Sequence, residues 1–311
     1  MAKYLKYTWE ILKETFSEWN NSPASKDSAS MAYYAIFSLP GLLIIIVWIA
    51  GAFLGDEAIR GEIQKQTAGI MGKDVGDAIQ NLITSGVLDN KNVWMKIFGI
   101  GTLIFGATTL FFEMQRSLNA LWDVEAAPKK AVEKFFLDRA NSFGMILVIA
   151  FLMLISLLIT SFIGFANDWI TRQFSIETYI ALNIVNFLIG FIFATVLFAL
   201  IFKVLPDVEI SWKSVWMGAF ITSVLFSLGK FLLGIYFDIS KPTSVFGAAG
   251  TIILLMMWIN YSCQLLFFGA EFTKIFSKKM GYHIKPSRHA KWSATKNIKD
   301  KLPEEVQKNF Y

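Results

Sequence analysis

The sequence predicts an all-α, polytopic membrane protein of six transmembrane helices, with both termini cytoplasmic. Three observations predict it. Apolar residues make up 55% of the 311 residues and charged residues only 17%, against roughly 25% charged in an ordinary globular chain. Six segments each carry about 20 mostly apolar residues, enough to cross a hydrocarbon core of roughly 30 Å. Lys and Arg are shared unevenly among the loops between those segments. The same composition excludes intrinsic disorder. A single cysteine, Cys263, excludes an intramolecular disulfide framework and a Cys-rich zinc site, and His283 and His289 are the only histidines.

The expected spans are 31–53, 93–112, 143–165, 179–202, 215–236 and 247–270. They are too long for barrel strands, which need only about 9–11 residues. The first run exceeds the apolar core of a signal peptide, so it is read as a span although Ala50-Gly51-Ala52 resembles a cleavage site. With the N-terminus inside, the inner segments carry 21 Lys and Arg and the outer ones 6, which sets the orientation.

Three units follow. Residues 1–30 form a cytoplasmic or interfacial unit whose stretch 4–19 is an amphipathic helix, with Leu5, Trp9, Leu12, Phe16 and Trp19 on one stripe. That stripe suits either the membrane interface or packing on the cytoplasmic face of the bundle. Residues 31–276 form the six-helix domain, including an outer loop, 54–92, whose apolar spacing suggests two short helices. Residues 277–311 form a basic tail of charge +6. It suits anionic lipid and the enforcement of topology better than nucleic acid, despite the aromatics Tyr282 and Trp292 among its basic residues.

Polar groups inside spans are the usual pointers to function. In the fifth span, Ser223, Ser227, Lys230 and Gly234 fall within about 60° of one another on a helical wheel. Lys230 is the ionisable residue set well inside a span, and it either snorkels or faces a wet interior where it meets an anionic group. In the sixth span Asn260, Gln264 and Glu271 share a face, with Lys274 or a basic residue of 113–142 as partner for Glu271. Asn183 and Asn186 align in the fourth. Candidate substrate contacts are therefore Lys230, Ser223, Ser227, Asn183, Asn186, Asn260 and Gln264. Candidate rim or gating residues are Glu113, Arg116, Glu271, Pro40, Gly247 and Gly250. Pro40 frees a backbone carbonyl within the first span, and Gly247-Ala248-Ala249-Gly250 opens the sixth.

The chain has no Walker loop, no H-E-x-x-H and no G-x-S-x-G. No carboxylate cluster within the spans suits a metal or a proton relay. The expectation is a protein that is not an enzyme, with no cofactor and no metal.

Several short motifs resemble, in their order, the YihY/BrkB family of bacterial inner-membrane proteins. The first span reads Ala32-Tyr33-Tyr34-Ala35-Ile36-Phe37-Ser38-Leu39-Pro40, where the family pattern carries one more residue before the proline. Leu118-Asn119-Ala120-Leu121-Trp122, Arg139 with Ser142-Phe143, and Leu205-Pro206-Asp207 follow. Trp212, Gly218-Ala219 and Gly229-Lys230 continue the match. The run from Phe246-Gly247-Ala248-Ala249-Gly250 through Trp258 to Gly269-Ala270-Glu271-Phe272 closes it. The resemblance implies a six-helix protein of the bacterial inner membrane without a settled activity. It also implies that the ribonuclease BN label once attached to the family is a misassignment. Two histidines in a basic tail agree with that, because they cannot build a multi-His nuclease centre.

Three functions compete at this stage. The first is a transporter or flippase of an anionic amphiphile, such as a lipid or lipid-linked precursor. The second is a non-transporting scaffold or partner protein of the cell envelope, and the third a membrane enzyme acting on a headgroup. Expected partners are membrane lipids, with anionic lipid at the tail, and no nucleic acid. Six helices can enclose a cavity alone or as a homo-oligomer.

Overall fold

The computed structural model of the chain describes residues 2–37, 64, 76, 77, 80, 93–127, 176–240 and 248–294. Helix α1 is Ala2–Asn21 and α2 covers 24–37. Helix α3 is Val93–Leu121 and leads into strand β1, Val124–Ala126. Helix α4 is Ile176–Val204, followed by β2, Val208–Glu209. Helix α5 is Trp212–Ser240 and α6 is Ala248–Lys279. Strands β3, Lys285–Pro286, and β4, Ala290–Trp292, follow. Among the described residues, three stretches are long and apolar enough to cross a membrane: Phe187–Val204, Trp212–Leu233 and Ile252–Lys279. They coincide with the fourth, fifth and sixth expected spans. The second expected span lies within α3. The first is described only to residue 37, and the third lies outside the described residues, as does most of loop 54–92.

Local chemistry sets the ends of these elements. Ser22 accepts the Ala24 N–H at 3.3 Å, and Pro23 follows it at the start of α2, where a missing N–H costs nothing. Ser211 caps α5 by accepting the Ser214 N–H at 3.3 Å. Pro206 blocks any extension of α4. At the end of α6, Gly281 takes a positive φ of 72°. Its N–H bonds Lys278 O at 3.2 Å while the Tyr282 N–H bonds Ser277 O at 2.9 Å, the two-bond stop that favours glycine.

Helices α4, α5 and α6 pack side by side, and α1 lies along the last turns of α6. The core gathers at one end of the bundle, where Leu118, Trp122, Phe202, Val215, Ala219, Phe267 and Ala270 are fully enclosed. We call this the basic end, because the Lys- and Arg-bearing segment 278–291 lies there. Toward the opposite end the large apolar side chains of α4 and α5 are exposed, Phe187, Ile192, Phe231 and Ile239 among them.

The α5–α6 crossing is closest where glycines meet threonines. Thr222 Oγ1 donates to Gly218 O and Thr273 Oγ1 to Gly269 O, both at 2.7 Å. Each threonine lies over the glycine of the other helix, so that a Cβ on Gly218 would overlap the Thr273 hydroxyl and one on Gly269 the Thr222 hydroxyl. Satisfying the hydroxyl within its own helix leaves the small residues free to bring the backbones together.

Two findings differ from the sequence expectation. The fold is not purely helical: β1 pairs antiparallel with β4, and β2 with β3. The first half of the expected basic tail is therefore part of the packed structure. Residues 277–279 complete α6, and Ile284 and Trp292 pack on the core. Backbone groups explain it: β1 and β2 end their helices with unpaired edges, and the chain after Gly281 returns to satisfy them.

Helix α1 has two apolar faces rather than one. Ile11 packs with Phe272 and Ile275, and Thr15 is buried beside it. The Tyr7 hydroxyl donates to Lys279 O at 3.1 Å, and Lys279 pairs with Glu14 at 2.7 Å. Of the stripe expected either at the membrane interface or packed on the bundle, Trp9 and Phe16 stay 68% and 59% exposed, while Leu12 and Trp19 pack inward.

Candidate functional site

Two polar groupings are present, one at the basic end and one toward the opposite end. At the basic end α3 stops at Leu121, and Asp123 adopts a positive φ of 57°, a conformation that aspartate takes more readily than most residues other than glycine. Lys274 of α6 holds it there. Its ammonium bonds the carbonyl of Leu121, pairs with Asp123 at 3.1 Å and lies 3.6 Å from Glu271. Glu271 is only 2% exposed, so this lysine is the charge that makes its burial tolerable. The Trp122 indole donates to Ala270 O at 3.0 Å. One turn earlier, Asn119 and Asp207 bond reciprocally. The amide Nδ2 donates to Asp207 Oδ2 at 2.9 Å, and the Asp207 N–H donates to Asn119 Oδ1 at 2.8 Å. Ser287 N–H then reaches Asp207 O, and Ser293 N–H reaches Asp123 O.

These contacts form a polar collar that ties α3, α4, α6 and the returning segment. Beside it lies a cleft of about 430 Å³, lined by Phe112, Gln115, Arg116, Asn119, Asp123 and Glu125, among others. Of the expected rim residues, Glu113 and Arg116 pair at 3.4 Å on α3. Glu271 takes Lys274 as its partner, one of the two expectations for it. Gly250 lies in the first turn of α6, while Pro40 and Gly247 fall outside the described residues.

The second grouping lies on α5 and α6. Ser223 is fully buried and its hydroxyl has no hydrogen-bond partner among the described residues. Ser227 is half-buried and Lys230 exposed. On α6, Gln264 Nε2 donates to Asn260 Oδ1 at 2.8 Å. Gly229 lies against the Tyr261 ring, in register with the Gly218–Thr273 and Thr222–Gly269 contacts. That antiparallel register sets Lys230 level with Asn260, and Ser227 level with Gln264. Asn183 and Asn186 are on α4, and their own side chains are not described.

Sequence reasoning passed over the collar as a site. Asn119, Trp122, Asp207 and Lys274 carry it, and the first three stood in view only as motif letters. No spacing rule links residues 88 and 148 positions apart. The usable signal was the order of the short motifs.

Long apolar helices bound together at one end by a buried polar collar define a helical membrane protein. Residues 15–293 match the family described as Virulence factor BrkB, and the chain belongs to that family. It is similar to proteins named UPF0761 membrane protein. One, of Saccharophagus degradans, is 21% identical over 91% of this chain and 63% of its own length. Another, of Kangiella koreensis, is 24% identical over 86% of this chain and 64% of its own. The chain thus spans less than two thirds of these two relatives. It is also similar to a Bacillus subtilis protein named Putative ribonuclease-like protein YfkH, 25% identical over 86% of this chain and 96% of that one. No solved structure matches. The family match ends one residue after β4, so the returning segment belongs to the shared unit.

Proposed function

We propose that the protein is a multi-pass protein of the bacterial inner membrane, not an enzyme, that moves an anionic amphiphile such as a lipid or lipid-linked precursor. One observation carries the reading. Lys230 stands three residues inside the end of the Trp212–Leu233 span, level with the Asn260–Gln264 amide pair of the neighbouring helix. A cation at that depth costs a few kcal/mol unless it snorkels or meets an anion or water. A lysine serving only as an anchor has no need of a polar face opposite it. The buried, unpartnered Ser223 hydroxyl continues the same face inward, and a hydroxyl without a partner is a cost that a passing ligand or water can relieve. Exposed Lys278, Lys285, Arg288 and Lys291 at the basic end suit anionic lipid.

The cleft beside the collar favours a second reading, a non-transporting scaffold whose partner seats at the basic end. Thiol labelling separates the two. With Cys263 replaced, single cysteines at 223, 227, 230 and 234 are exposed to membrane-impermeant reagents from each side of sealed vesicles. Labelling along the whole stripe is expected. Labelling confined to position 234, from one side only, means that Lys230 snorkels, and the scaffold reading takes its place.

A further inference from the structure

The cleft at the basic end has free chemistry that the collar does not use. Gln115 is only 8% exposed and lines the cleft, where its amide can both donate and accept. Arg116 meets Glu113 through a single guanidinium nitrogen, which leaves most of its five N–H donors free. Glu125 is exposed on β1, and one of its oxygens accepts the Ala294 N–H at 3.4 Å.

The charges narrow the occupant. Three carboxylates line the cleft, Asp123, Glu125 and Asp207, with one cation, Arg116. Lys274 offsets Asp123. A simple anion would be repelled by the remaining carboxylates. A simple cation would leave Arg116 and Gln115 idle. A molecule with both charges uses both ends. Phe112 sits one helical turn, about 6 Å, before Arg116 at the end of the expected second span. It lines the cleft while 47% exposed, which gives the cleft an apolar lip on the membrane side. A cleft of about 430 Å³ lies within the range of small-ligand sites.

We propose that this cleft holds a zwitterionic phospholipid headgroup, with the phosphate on Arg116 and Gln115, the ammonium on Glu125, and the chains leaving past Phe112. The site stands apart from the Lys230 face and does not depend on transport. Purified full-length protein in detergent is titrated with the short-chain lipids dihexanoyl phosphatidylethanolamine and dihexanoyl phosphatidylglycerol. Saturable binding of the ethanolamine lipid is expected, tighter than the glycerol lipid by about tenfold, the worth of one charge-assisted hydrogen bond. Glu125→Gln brings the two affinities together, and Arg116→Ala weakens both. Both side chains are exposed, so unchanged thermal unfolding certifies these variants. Equal or tighter binding of the glycerol lipid overturns the proposal. So does wild-type binding by both variants. Saturation by a lysine-rich peptide where the ethanolamine lipid does not saturate overturns it in favour of a protein partner.

Discussion

The Asn119–Asp207 pair supports a test in which both partners are changed at constant shape. Asn119→Asp removes the Nδ2 donor and sets a second carboxylate against Asp207, where the amide now donates at 2.9 Å. A charge-assisted bond worth about 1.5–3 kcal/mol is lost. Two carboxylates about 4 Å apart repel by about 4 kcal/mol at an effective dielectric of 20, although proton uptake by one of them limits that cost. Asn119 is 7% exposed, so water restores little, and the net loss is about 2–4 kcal/mol. That corresponds to a fall in Tm on the order of 5–10 °C. Asp207→Asn alone costs about 1 kcal/mol, because its amide oxygen still accepts from Asn119. The double change is the decisive arm. The carboxylate introduced by Asn119→Asp accepts the backbone N–H of residue 207 with one oxygen. Its other oxygen accepts from the side-chain amide that Asp207→Asn introduces, so both bonds return. Thermal unfolding of the four purified proteins, followed by tryptophan fluorescence, measures the cycle. The double variant is expected at least about 2 kcal/mol above Asn119→Asp, the worth of the restored charge-assisted bond. A double variant no more stable than Asn119→Asp would refute the reciprocal geometry.

The glycine crossing and the buried ion pair give two further predictions. Gly269→Ala puts a Cβ 3.0 Å from both the Phe202 ring and Thr222 Cβ and is expected to lower stability by about 1–3 kcal/mol, as overpacking does; Gly190→Ala, with open space around it, leaves Tm unchanged or slightly raised, and equal effects on Tm would dismiss the close crossing. Lys274→Met strands the Glu271 carboxylate and is expected to cost about 3–5 kcal/mol; adding Glu271→Gln recovers part of the loss in the same unfolding assay, and no recovery would mean that Lys274 acts only through Asp123 and Leu121.

The long helices were legible because the signal for a span is local. Expected spans 179–202, 215–236 and 247–270 fall on α4, α5 and α6. Helix α1 was legible as a helix, but its stripe did not decide between the membrane interface and packing on the bundle, and the structure divides it. Trp9 and Phe16 outweigh Ile11 and Thr15 in an apolar count, yet the smaller residues fit the surface of α6. The strands were not legible, since two or three residues cannot show a period of two. The collar was half legible. Motif order marked Asn119, Trp122, Asp207 and Glu271, but their convergence depends on long-range packing. Lys274 was named only as one potential partner, because an i,i+3 pair on a basic helix end reads as an ordinary surface contact.

The two groupings assign different mechanical roles to the two ends of the bundle. Parting the helices at the basic end breaks the Asn119–Asp207 bonds, the Trp122–Ala270 bond and the Lys274 contacts together. At about 0.5–1.5 kcal/mol for a neutral bond and 1.5–3 for a charged one, that is a barrier of several kcal/mol before any apolar area is counted. Toward the opposite end the exposed side chains of α4 and α5, Phe187, Ile192, Phe231 and Ile239, are apolar. A helix motion that keeps the collar's bonds would pivot on the basic end, with Lys230 at the far end from it. If the proposed transport holds, access alternates at the Lys230 end while the basic end stays closed, unless a ligand in the cleft supplies the bonds that opening it would lose. Under that proposal, variants that loosen the collar, Asn119→Asp first among them, are expected to alter transport at temperatures where the protein is still folded, whereas a scaffold has no transport for them to alter.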